Sequence, residues 1–299
     1  MAEAVIAATP VRRPRRARLG IPPVSALLLL LIVVLCICAP LVVSAGPDQI
    51  DPTHPFAAAT GQHWLGTDEV GRDLLSRLLY GGRLSLMVCA GSVALAFVLG
   101  TVWGATAADR GGWVDEILMR GADITMAIPQ ILFALVCVAA FGASLLSLTL
   151  ITGILLTPSS ARMARSVTIQ ETGLDYYSAG IAYGAGKIRL LSTEVLPNIF
   201  PALASQAAIN AASAIILEAS LSFVGLGVQP PQTSWGVLLQ QGYGYLYNDP
   251  SYALAPAIMI LLTVLCLNLV ANRMSSPDAR RAARRAARRA ARGGRKVRK

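Results

Sequence analysis

The sequence predicts an all-α polytopic membrane protein with six transmembrane helices and both termini in the cytoplasm. Three observations lead there. Hydrophobic residues make up 55% and charged residues only 14% of the 299 positions, a balance foreign to water-soluble domains. The apolar residues gather in uncharged runs near the roughly 20 residues that cross a hydrocarbon core about 30 Å thick. Lysine and arginine are divided unevenly between the connections, which sets orientation.

Residues 1–20 form a basic leader carrying five arginines from Arg12 to Arg18. The first span lies within 21–46, with Val24 to Val43 as its apolar core. Val43-Ser44-Ala45 resembles a signal-peptidase site, but the run exceeds a signal core and further spans follow, so it is read as an uncleaved helix. Residues 47–83 lie outside and are expected to be helical from Thr67, with Thr67 as cap and Leu74, Leu75, Leu78 and Leu79 at helical spacing. Asp68, Glu69 and Asp73 stand beside Arg72 and Arg77. They read as ion pairs fixing a helix on the membrane surface, because nothing nucleophilic or metal-binding accompanies them.

The membrane core covers 84–273. Leu84 to Ala108 is the second span, and its Gly100-x-x-x-Gly104 permits close helix contact. A short inner connection follows, where Asp123 is expected to be hydrated or paired with Arg120. Ile124 to Ala161 is uncharged over 38 residues, about 57 Å as one helix and nearly twice the core. It must fold back, with Phe141-Gly142-Ala143-Ser144 as hinge and one span on either side. Asn198 to about Phe223 is the fifth span and Ala253 to Ala271 the sixth. Pro40, Pro129 and Pro256 mark kinks. Gly225 to Asp249 is an outer loop, with Trp235 expected at the membrane interface. Residues 274–299 form an Arg/Ala-rich cytoplasmic tail.

In this arrangement 23 basic residues fall inside and three outside, namely Arg72, Arg77 and Arg83. The net charge of +10 is misleading, since residues 273–299 hold twelve basic residues against Asp278 alone. The remainder is close to neutral, so a nucleic-acid partner is not expected. The tail is read as a solvated end in preference to a contact with anionic lipid.

The cytoplasmic loop 162–198 organises the chain. Asp175 is expected to cap a short helix, Gly184 and Gly186 to supply positive φ for a reversal, and Pro197 to end one helix or begin the next. Ser178, Ala179, Gly180 and Ala182 present a small-residue surface that another backbone can approach closely. This is a docking knob and not a catalytic centre. Gly184-Ala-Gly-Lys187 imitates a phosphate loop, but Ile181 stands where the first glycine belongs and Ile188 where the hydroxyl residue belongs. No nucleotide site is expected here.

Within the fifth span, Gln206, Asn210 and Glu218 are candidates for a translocation pathway. A structural role for Glu218 is weighed above a transport role. All five cysteines fall in expected spans without C-x-x-C spacing, and His54 and His63 lack cysteine company, so no metal site is expected.

Three stretches carry a resemblance. The loop resembles the permease pattern E-A-A, three residues, G, nine residues, I-x-L-P of binding-protein-dependent importers. Ala179, Gly184, Leu196 and Pro197 match, while Ser178, Gly180 and Glu194 replace Glu, Ala and Ile. HWLGTDEVGRDLLSRLLYGGRLSL from His63 and EASLSFVGLGVQPPQTSWG from Glu218 resemble the C-type membrane subunit of dipeptide, oligopeptide and nickel ABC importers. The resemblance runs from about Ile21 to Asp278.

It implies a type I ABC importer transmembrane domain in the bacterial cytoplasmic (inner) membrane, in contact with membrane lipid. The implied partners are a second, homologous permease subunit, ATPase subunits gripping the loop at Asp175 to Pro197, and an extracytoplasmic binding protein. ATP and Mg would sit in the ATPase subunits, leaving this chain without cofactor or enzyme activity of its own. The implied substrate is a di- or oligopeptide, with nickel or a metal chelate as the alternative. From another class, a self-sufficient secondary transporter would show inverted repeats and buried coupling acids.

Overall fold

The structure, a computed structural model, describes residues 24–43, 46–61 and 63–296, with side chains as far as Met274. The leader 1–20 lies outside the described residues, as do Ser44 and Ala45 of the cleavage-like site. All described regular elements are helical.

Four helices are long and apolar enough to cross a membrane. They are α3 (Leu74–Arg110), α6 (Leu145–Thr172), α9 (Leu196–Leu221) with its flanking turns, and the Pro250–Met274 part of α11 (Pro250–Lys296). Two further helices, α4 (Gly112–Ala127) and α5 (Gln130–Phe141), meet at 86° and make a fifth span if the bent pair counts as one. The described part of helix α1, Val24–Ile37, is apolar and 14 residues long, about 21 Å; α2 (Ala39–Val42) follows it. Of the six expected spans, four therefore fall on long helices, one on the bent pair and one on α1.

The bend has a local cause. Ile128 leaves α4 in extended conformation (φ −80°, ψ 131°) and Pro129 precedes α5; a residue before proline disfavours the α region. The expected hinge is found at the other end of α5. Gly142 has φ +83°, and Ser144 caps α6 in a reciprocal box with Ser147.

Helix α3 starts at Leu74, later than expected, and Thr67 does not cap it. The Thr67 hydroxyl is buried, donating to the His54 carbonyl at 2.6 Å and accepting from the Ala57 N–H at 2.8 Å. Asp73 supplies the cap, accepting from the Ser76 N–H at 2.7 Å. The preceding residues are a folded loop and not a surface helix. Its centre is Asp68, fully buried, whose Oδ2 accepts from Arg72 Nε at 2.6 Å and Arg77 Nη1 at 2.7 Å. Asp73 pairs with His63 at 3.0 Å instead of an arginine.

The core is built on α3 against α6. A Cβ on Gly104 would lie 2.1 Å from the Ala161 carbonyl oxygen, and one on Gly100 would lie 2.3 Å from Ser160 Cβ. The two glycines therefore let these backbones touch within one chain. Helix α9 packs on α3, α6 and α11. Helix α10 (Trp235–Tyr243) tucks back into the bundle. Trp235 is not interfacial: it is wholly buried, its indole N–H donates to the Leu78 carbonyl at 2.9 Å, and Gly82 makes room for its ring.

Two five-residue π-turns bracket α9, Leu191–Val195 before it and Ser222–Leu226 after it. Around α4, Asp123 pairs with Arg162 and not with Arg120, which reaches Glu116 at 3.8 Å. Arg165 grips Asp115 with two bonds of 2.5 Å.

Candidate functional site

The loop after α6 folds on a small core of its own. Helix α7 (Asp175–Ala182) and α8 (Lys187–Leu190) form a helical hairpin whose inner face holds Tyr177 and Leu190. These pack with Ala164, Val195, Ile199 and Leu203 of the adjoining helices. Burial pushes the hydroxyls of Tyr176 and Tyr177 up in pKa, and Tyr176 donates to Glu171 at 3.1 Å.

Asp175 is not the cap. Leu174 occupies that position with extended backbone and no side-chain bond, and Asp175 is the first helical residue. There its carboxylate meets the positive end of the helix dipole. Gly184 has φ +81°, and the turn closes by N–H bonds from Tyr183 to Ala179, Gly184 to Ile181 and Ala185 to Gly180, all 2.9–3.0 Å. Gly186 has φ −65°, so one left-handed residue suffices where two were expected.

Gly180 also differs from expectation. A Cβ there would come within 2.7 Å of Leu190 Cδ2, so its smallness serves the α7–α8 contact within the chain. Ser178, Ala179 and Ala182 do face outward. On either side of Gly184 stand two large apolar side chains, Tyr183 at 92% exposure and Ile188 at 83%. Neither belongs to the small-residue surface that the sequence suggests. Their signal was their place, flanking the glycine turn at the tip of a loop. Glu194 is exposed in the first π-turn, Leu196 opens α9, and Pro197 stands in its first turn, where a missing N–H costs nothing.

The three intraspan candidates form two separate clusters. Asn210 Oδ1 accepts from Gln206 at 3.0 Å and from Ser159 at 3.1 Å, while its amide donates to Ser160 Oγ at 2.8 Å. This ties α9 to α6. Glu218 is 1% exposed. Ser85 Oγ donates to it at 2.9 Å and Ser222 Oγ at 2.7 Å. Ser222 in turn accepts from Ser234, and Ser85 from the Trp235 N–H. The acid is thus enclosed by hydroxyls that join α3, α9 and the start of α10.

Among the described residues no three His, Cys, Asp or Glu converge as metal ligands, and all five cysteines are free thiols. His54 lies against Asp51 and Thr53.

A helical membrane bundle with a self-contained hairpin on one side is the class that these features define. Residues 96–276 match the family of binding-protein-dependent transport system inner membrane components, and the chain belongs to that family. It is 35% identical over 245 residues to the probable D,D-dipeptide transport system permease protein DdpC of Escherichia coli (strain K12), covering 82% of each chain. It is 36% identical over 253 residues to the di/tripeptide transport system permease protein DppC of Pseudomonas aeruginosa (strain UCBPP-PA14), covering 82% of this chain and 84% of that one. Among solved structures, an inward-facing form of the MetNI methionine ABC transporter superposes with a TM-score of 0.56 at 19% identity, over 66% of this chain and 94% of that one. The fold is therefore that of an ABC importer membrane subunit.

Proposed function

We propose that this chain is the C-type permease subunit of an ABC importer that carries di- or oligopeptides across the bacterial cytoplasmic membrane. In this reading α1 and the bent α4–α5 pair complete six crossings, both termini are cytoplasmic, and a second permease subunit completes the pathway. ATP and Mg are bound by separate ATPase subunits. The observation that carries the reading is the hairpin α7–α8: it is packed onto α6 and α9 through Tyr177 and Leu190, exposes Tyr183 and Ile188, and runs through the first π-turn directly into α9.

That continuity supplies a mechanism. ATPase subunits gripping Asp175 to Pro197 move the hairpin as one body when they close. Through the helical run Lys187–Leu226 the displacement reaches α9, which carries Gln206, Asn210 and Glu218, and the bundle reopens on the other side. Such coupling requires the ATPases to contact the hairpin differently in two states. The peptide substrate is favoured over nickel or a metal chelate because the relatives are named for D,D-dipeptide and di/tripeptide transport.

Affinity purification from the native membrane tests this. ATPase and second-permease chains are expected in the eluate, with ATPase activity lost when Gly184 is replaced. A lone chain whose uptake follows the proton gradient would restore the secondary transporter.

A further inference from the structure

Three arginines stand on the proposed outer side, and two of them are neutralised. Arg72 is bonded to Asp68 and Glu69, and Arg77 to Asp68. Arg83 forms no ion pair among the described residues; its guanidinium lies over the ring of Tyr80, 5.6 Å from the centroid. Such a cation–π contact holds the guanidinium over the ring without using its N–H donors. Among the described residues its five donors have no acceptor, which leaves them available to an anion.

Arg83 lines a cleft of about 270 Å³ between the start of α3 and the two loops beside it. Asp48 lines the same cleft and has no cationic partner among the described residues, so two opposite charges share one cavity without bonding to each other. Between them the walls are apolar or uncharged, with Pro47, Met87 and Gln232. The volume falls just below the range of about 300–1,000 Å³ usual for drug-sized ligands. A cleft of this volume with one cation and one anion on its walls suits a small zwitterion with charges at its two ends.

We propose that the cleft is a subsite for the ends of a short peptide entering the pathway, Arg83 taking the carboxylate and Asp48 the ammonium group. The proposal rests on the peptide-importer reading and assigns it a contact in this chain. A carboxylate on a stacked, half-buried guanidinium forms charge-assisted bonds. An anionic metal chelate would need Arg83 alone, so dependence on Asp48 separates the two substrate classes.

The test uses the assembled transporter in nanodiscs without its binding protein, and measures equilibrium binding of radiolabelled dialanine, dialanine amide and N-acetyl-dialanine. Wild type is expected to bind dialanine more tightly than either blocked form. Arg83→Gln is expected to weaken dialanine about tenfold or more and abolish its advantage over the amide, while Arg83→Lys restores most of the binding. Asp48→Asn is expected to abolish the advantage over the acetylated form. Unchanged binding in Arg83→Gln, equal binding of all three ligands to wild type, or no binding of dialanine would each overturn the subsite. Uptake by the complete wild-type system is measured alongside: peptide uptake with a failed binding result sinks the subsite only, whereas absent peptide uptake sinks the importer reading as well.

Discussion

Arg77 donates to Asp68 at 2.7 Å with both side chains buried. The same guanidinium donates to Tyr252 at 3.2 Å and Gln241 at 3.0 Å. One ion pair thus fastens the loop before α3 to α10 and α11. Removing Asp68 would leave Arg77 buried without a counter-charge, whereas removing Arg77 leaves Asp68 its bonds to Arg72.

The two substitutions should therefore differ. Asp68→Ala is expected to cost about 3–5 kcal/mol, the usual loss on breaking a buried pair, and Arg77→Met clearly less. Thermal unfolding of the purified complex checks the order; equal losses would show that Arg72 does not compensate.

Gly184→Trp is expected to abolish uptake while membrane insertion stays normal. A Cβ at Gly184 meets nothing within 4 Å inside the chain, so bulk there is felt by a partner. The left-handed backbone adds strain of only about 1–2 kcal/mol. Wild-type uptake by a normally inserted variant would remove the hairpin from the coupling role.

At the α3–α6 contact, Gly104→Ala should destabilise by about 1–3 kcal/mol or more, because the new carbon meets backbone and the helices must part. Gly121→Ala is the control: only Trp103 comes near, at 3.7 Å, and at this half-buried helical position a Gly→Ala change stabilises by up to about 1 kcal/mol. Chemical denaturation of both variants is the measurement.

What was legible in the sequence followed from properties of single residues summed along a run. Uncharged length located α3, α6, α9 and α11, and Gly142 with Ser144 announced the hinge. What was not legible depended on where a group's partner sits. Thr67 looks like a cap until its hydroxyl is found bonded to His54 and Ala57. Gly180 looks like an outward surface until Leu190 is found against it. Pro129 was visible as a kink, but not an 86° break that turns α4 away from α5. In the hairpin, Gly184 and Pro197 were readable from backbone rules, whereas Tyr183 and Ile188 became visible only through their exposure.

The π-turn at Leu191–Val195 stores one residue of chain length at the foot of α9. A π-turn winds one residue more than an α-turn, so deleting one residue there would let the helix heal as continuous α and leave the face of α9 nearly where it was. Deleting one inside α9 ahead of Gln206 meets no such slack: each helical residue advances the face by about 100°, so Asn210 would swing off Ser160 and Glu218 off Ser85, although no residue of either cluster had been altered. The nine positions between Gly184 and Glu194 thus end in a stretch that absorbs a change of length before it reaches the side of α9 that looks inward.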